Sequence, residues 1–178
     1  MQSYKSLVYF GLTFLLLNLN LFSSVIWESD NTPRSISFSK FNSMTISVTL
    51  PEGQKLIFLD QLKKLIGDKA KIIIIDHLKK DINKILSSPL TLHFAFSTTD
   101  NPAINLLRTY STSQGKIVTN SELFNAVLWE KIILFENQDH LAADIKLALA
   151  QTSQLFFSQY FSTQAETATK PIFYFVFN

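Results

Sequence analysis

From Ser6 to Trp27 the chain carries no charged side chain, and no other stretch limits its folding as strongly. Lys5 precedes this run, and Glu28 and Asp30 follow it. As a helix, 22 residues reach about 33 Å, enough for a hydrocarbon core of about 30 Å. Tyr4, Tyr9 and Trp27 stand near the two ends, where amphipathic rings favour the membrane interface. The charge order favours the N-terminus inside and the following domain outside. The competing reading is a cleaved secretory signal, with Met1 to Ser6 as its basic region and Leu7 to Leu17 as its apolar core. Asn18 and Asn20 would end that core, and Ser23 and Ser24 supply small residues beyond it. Bulky Phe22 makes a poor cleavage site, which favours an uncleaved anchor.

The expected organisation is therefore residues 1–27 as signal-anchor or signal peptide, 28–35 as a polar tether, and 36–178 as one domain. That last part is long enough to bury a core of its own. Of the 16 basic residues one is Lys5, so the part beyond the anchor holds 15 against 14 acids. This balance gives no field suited to nucleic acid. The absence of cysteine rules out disulfides, thiolate metal sites and a cysteine nucleophile within these residues.

Periodicity predicts an α+β fold: an N-terminal hydrophobic helix, then a sheet of about four or five strands packed against helices. Ile36, Phe38, Met44, Ile46, Val48 and Leu50 alternate with polar residues, as in a half-buried strand or hairpin. Pro51, Glu52 and Gly53 stop it. Lys55–Ile66 is then echoed 16 residues later by Lys71–Ile82, with the lysine, the aspartate and Leu-Lys-Lys in matching places. Two strand-then-helix units would place the copies equivalently, although Gln61 to Ala70 is short for a parallel crossover. A helix is expected over His77 to Ser87, blocked by Pro89. Leu90, Leu92, Phe94 and Phe96 give the clearest strand signal in the chain. Asp100 or Asn101 followed by Pro102 predicts a short helix to about Tyr110, with a loop at Ser111 to Gly115. Asn120 or Ser121 predicts a central helix carrying Leu123, Phe124, Val127, Leu128, Ile132 and Phe135. A second helix from Asp139 carries Leu141, Ile145, Ala148, Leu149, Thr152, Phe156 and Tyr160 on one face. After a polar loop, Ile172 to Phe177 reads as a final strand inserted beside earlier ones.

No catalytic, cofactor-binding or metal-binding set emerges. Asp76-His77 after an apolar run superficially resembles a Walker B strand, but no Gly-x-x-x-x-Gly-Lys-Ser/Thr precedes it, and a helix cap explains Asp76. His77, His93 and His140 lack metal-helix spacing and read as solvated. There is no Gly-x-Ser-x-Gly elbow. Two surfaces invite partners. Lys63, Lys64, Lys79 and Lys80 form a basic face suited to an acidic partner or anionic headgroups, with plain solvation as the ordinary reading. Phe157 and Phe161, offset from the core face of their helix, suggest an apolar interaction patch, with core packing as the ordinary alternative.

The expected function is non-catalytic. A membrane-anchored or exported envelope protein, held by residues 6–27 if uncleaved, presents an extracytoplasmic domain to a protein partner. If cleaved, it is periplasmic or secreted. The alternatives are a carrier of a lipid or apolar small molecule, lined by the aromatic helix and last strand, and then a hydrolase using Asp76, His77 or His93.

Overall fold

A computed structural model describes residues 25–30, 37–75, 89–116, 123–137, 139–164 and 169–177. The hydrophobic run before Val25, Asp76-His77, the helix expected at 77–87, and Lys79 and Lys80 all lie outside these residues.

The described chain is α+β, and its sheet has seven strands rather than the expected four or five. The strands are β1 (Val25–Asp30), β2 (Ser43–Thr49), β3 (Lys71–Ile75), β4 (Leu90–Thr98), β5 (Ile104–Lys116), β6 (Leu123–Glu136) and β7 (Ile172–Phe177). Two helices, α1 (Gln54–Ile66) and α2 (Leu141–Thr163), join them. The spatial order is β1-β6-β5-β4-β2-β7-β3. β4, β2, β7 and β3 run parallel, and β4-β5-β6-β1 continue as an antiparallel meander. As expected, β7 is inserted between earlier strands, with β2 on one side and β3 on the other.

This order explains why both helices share one face. The crossovers β2-α1-β3 and β6-α2-β7 each join parallel strands and step across the sheet in the same direction. A uniform right-handed crossover then puts both helices on the same side. Side-chain packing agrees: Phe58 of α1 meets Phe94 of β4, while Phe156 and Phe157 of α2 meet Trp129 of β6 and Phe173 of β7. The core lies between these layers. Met44, Ile46 and Val48 of β2, Leu90, Leu92 and Phe94 of β4, and Phe173 and Phe175 of β7 are buried there.

Three sequence expectations are corrected. The echo is not a structural duplication. Lys55–Asp60 lies in a helix, whereas Lys71–Ile75 is a strand. Leu, Gln and Lys in the first copy are good helix formers, while four consecutive Ile suit a pleated surface. Second, residues 104–116 form β5, not a short helix and loop. Asn101 serves as a turn residue instead of a cap: its side chain accepts from the Ala103 N–H, and its carbonyl accepts from the Ile104 N–H. Third, the central helix expected after Asn120 is β6. A bulge sets Trp129 against Ser111 but Val127 against Thr112, leaving Leu128 as the extra residue. The alternation therefore changes phase along the strand, and the pooled apolar positions mimic a helix.

β1 also revises the boundary of the tether. Val25–Trp27, the end of the apolar run, and Glu28–Asp30, the start of the polar stretch, together form an edge strand against β6. Ser37 and Phe38 do not belong to a hairpin; the segment leading into β2 is held by α2 instead. Gly53 and Gly67 bound α1 with φ of 85° and 53°, conformations that side chains with a Cβ rarely take. The expected inner face of α2 is buried from Ile145 to Tyr160, while Leu141 at its first turn is only half-buried.

Candidate functional site

On the face opposite the helices, the sheet carries a row of polar and aromatic side chains. His93 lies directly across from Tyr110, and Tyr110 lies across from Glu130. Arg108 is two residues from Tyr110 on the same strand, so all four project from one face. The His93 and Tyr110 rings stack with centroids 4.5 Å apart and planes 12° from parallel. The Arg108 guanidinium sits 4.4 Å from the Tyr110 ring centre, a cation-π geometry. Arg108 also donates to the Glu130 carboxylate at 2.6 Å. Thr112 Oγ1 lies 3.4 Å from His93 Nε2. Each group is thus orientated by at least one neighbour.

The electrostatics follow from that packing. Burial lowers the pKa of His93, and the Arg108 charge lowers it further. The imidazole is therefore held neutral and stacked, unlike the solvated histidine expected from its place on the polar side of β4. The carboxylate of the cluster engages Arg108, not His93. Among the described residues, the groups acting on His93 are Tyr110, Thr112 and Arg108, with no carboxylate placed to orient it as in a Ser-His-Asp arrangement.

Toward β1 this face becomes apolar, with Leu106, Ile132 and Leu134 half-buried and Trp27 exposed. Toward β3 it is again apolar, through Tyr174, Val176, Ile73 and Ile75. No described helix lies on it. A stacked aromatic and charged centre between two apolar shoulders is the composition that protein interfaces favour.

The residues singled out from sequence are distributed elsewhere. Lys63 and Lys64 are exposed in the last turn of α1, and Lys64 pairs with Asp60 at 2.8 Å. The ion pair lowers the Asp60 pKa and raises that of Lys64. Phe157 is buried against Phe173, so only Phe161 of the expected aromatic pair reaches the surface, where Lys69 approaches its ring at 5.3 Å. Phe156, Phe157, Tyr160, Phe173 and Phe175 pack as core residues. His140 is the exposed residue at the start of α2. Among the described residues, no three His, Cys, Asp or Glu gather as a metal site. Among them, too, no helix is long and apolar enough to cross a membrane.

Arg108, Tyr110 and Glu130 escape a sequence reading because their strands look helical. One signal does mark them: Leu106, Arg108, Tyr110 and Thr112 fall at period two, around one of only two arginines in the chain.

Comparisons with known proteins add little to this geometry. No protein-family model matches the chain, and no curated protein matches it. Among solved structures, a PelC dodecamer from Paraburkholderia phytofirmans is similar at 10% identity and a TM-score of 0.36, covering 72% of this chain and 94% of that one. A variant of that dodecamer is similar at 11% identity and a TM-score of 0.32, covering 70% and 97%.

Proposed function

We propose that this protein is a non-catalytic, membrane-anchored or exported envelope protein whose domain binds a protein partner through the sheet face centred on His93, Tyr110, Arg108 and Glu130. The observation that carries this reading is the stack itself. Aromatic and arginine side chains held in place by neighbours lose little entropy on binding, which suits them to anchor a partner. The uncharged run that begins at Ser6 and leads into β1 at Val25 supports a location at the membrane, with the domain on the extracytoplasmic side.

Cross-linking in membranes of the host, followed by purification, tests the proposal. A stoichiometric protein partner is expected for the wild type. Tyr110→Ala and Arg108→Ala, in protein that still melts cooperatively, should each reduce its recovery at least about tenfold, the scale of an interface hot spot. Full recovery with both variants would move the interface elsewhere. A strictly partner-free protein would end the reading. Native mass spectrometry of the same preparation examines the carrier alternative, which requires a co-purifying lipid or apolar small molecule.

A further inference from the structure

At β1, one corner of the sheet face opposite the helices is apolar. Trp27 lies directly across from Leu134, Leu134 across from Leu106, and Leu106 across from Ser97. Residues opposite one another in antiparallel strands project from the same face, so register sets Trp27, Leu134 and Leu106 in one row with Ser97 at its far end. Ile132 stands beside the row, two residues before Leu134 on the same strand and face. Trp27 is 49% exposed, and Leu106, Ile132 and Leu134 are half-buried. Charge is turned away or paired. Glu28, the first acid of the chain, projects from the helix side and pairs with Lys131. On the row's own face Arg108 is held by Glu130, and Glu136 closes β6. Among the described residues, this corner therefore has no excess of positive charge.

We infer that this corner rests on the lipid surface, with Trp27 at the level of the headgroups and Leu134, Leu106 and Ile132 beside it. The inference rests on the membrane-anchored reading above and gives the domain an orientation. The place of β1 in the chain selects lipid as the occupant. The uncharged run from Ser6 passes into β1 at Val25 with no charged residue between them. Val25 and Trp27 to Asp30 are paired with β6, so no slack separates the sheet from the run. Even a fully extended chain puts Trp27 at most about 11 Å from Ser24. A run that enters the bilayer therefore brings this corner to its surface. An indole suits that depth, being apolar in its body and polar at its N–H. Contact with anionic headgroups draws on clustered lysine and arginine. The corner has no such cluster, so zwitterionic lipid is enough.

The test places the full chain in phosphatidylcholine nanodiscs. The chain has no cysteine, so Ser97→Cys carries a single nitroxide at the far end of the row. Ser158→Cys carries one on the exposed side of α2 as a control. Power saturation reads collision with oxygen, which concentrates in lipid, and with a nickel chelate, which stays in water. The Ser97 label should favour oxygen and the Ser158 label nickel. Brominated phosphatidylcholine should quench Trp27 emission, and Trp27→Phe should abolish that loss, since Trp129 is fully buried. Quenching alone follows from the anchor, whereas the Ser97 label reports the docked face. In protein that still melts cooperatively, Leu106→Asp should return the Ser97 label to nickel contact. Leu134→Ser, a milder change, should shift it in the same direction. Phosphatidylglycerol in place of part of the lipid should leave the label unchanged. The inference is overturned by a Ser97 label open to nickel without further substitution, or by lipid contact that survives both leucine changes. Shielding that requires anionic lipid or an added protein overturns it as well. A chain that does not enter nanodiscs ends the membrane-anchored reading itself. A chain that enters them with Ser97 in water ends only the docking.

Discussion

Tyr160 and Phe41 lie 119 residues apart, and the Tyr160 hydroxyl donates a hydrogen bond to the Phe41 carbonyl. Around this bond, Thr163 Oγ1 accepts from the Phe38 N–H and Gln164 Nε2 donates to the Phe38 carbonyl at 2.7 Å. The end of α2 thereby holds the segment that leads into β2. Tyr160→Phe keeps the ring packing and removes only the hydroxyl. It should cost about 1 kcal/mol, read by urea unfolding. Burial raises the Tyr160 pKa far above its ordinary value. A raised acid favours the protonated folded state, so its contribution is complete below about pH 10 and is lost as pH rises beyond it. Wild-type protein should therefore lose stability above pH 10 more steeply than Tyr160→Phe.

His93 gives the opposite pH signature. Its folded pKa lies below the ordinary value of 6.5 because of burial and then Arg108. The unfolded chain binds the proton more readily, so stability is complete above about pH 6.5 and falls as pH drops through the folded pKa. An NMR titration should place the His93 midpoint below 6.5. Arg108→Gln should move it upward part of the way, since desolvation is the larger cause. A midpoint at or above 6.5 would contradict the stacked, desolvated geometry.

The Arg108–Glu130 pair is partly exposed on the arginine side, 43%, and mostly buried on the glutamate side, 17%. Its net coupling should therefore be modest, about 1 kcal/mol or less in a double-mutant cycle. Arg108→Lys should nonetheless be a poor replacement, because an ammonium cannot reproduce the planar stacking on Tyr110. Coupling indistinguishable from zero would remove the pair as a determinant of the site.

Buried hydroxyls behind α2 lead to a prediction of stabilisation. Thr109 Oγ1, Ser111 Oγ and Thr152 Oγ1 are buried without hydrogen-bond partners in the described structure, as is Trp129 Nε1 beside Ser111 in register. Replacing an unpaired hydroxyl with a methyl of similar size removes a desolvation penalty. Thr152→Val should be neutral or stabilise by about 1 kcal/mol in urea unfolding, within the range known for unpaired groups. A loss above that size would mean the hydroxyl is paired in solution. Phe156→Ala, on the same helix, should cost about 3–5 kcal/mol, because Phe156 packs on Phe38, Trp129, Phe157 and Tyr160 together.

The end strand β3 concerns solubility. It pairs with β7 and has no second partner among the described strands, and Ile74 is 50% exposed. An apolar β-branched edge invites pairing with other chains. Ile74→Lys should change stability by no more than about 0.5 kcal/mol and slow aggregation measured by light scattering. Unchanged aggregation would assign the hazard to another surface.

Local chemistry made some elements legible. Four adjacent Ile at 72–75, the alternation in 90–97, and the 3.6-residue stripe of 145–160 each point to one structure, because burial follows their own period. The inner face of α2 was readable in this way from Ile145 to Tyr160. β5 and β6 were not. The inward positions of β5 are Asn105, Leu107, Thr109 and Ser111, largely polar, so apolar alternation is missing. In β6 the bulge at Leu128 breaks the phase. The Lys55 and Lys71 copies show the same limit, since a shared lysine and aspartate frame a helix once and a strand once.

What residues 25–178 carry in their own order is the supply of apolar strands and one long amphipathic helix, enough to require a layered α+β domain. Sequence order also carries the charge balance and the lack of cysteine. Tertiary structure alone decided that β7, made last, would enter between β2 and β3. It alone brought His93, Arg108, Tyr110 and Glu130 together from three strands. The physical reason is that strand pairing and helix docking are long-range choices. They are settled by how whole faces bury against one another, and no window of neighbouring residues holds that information.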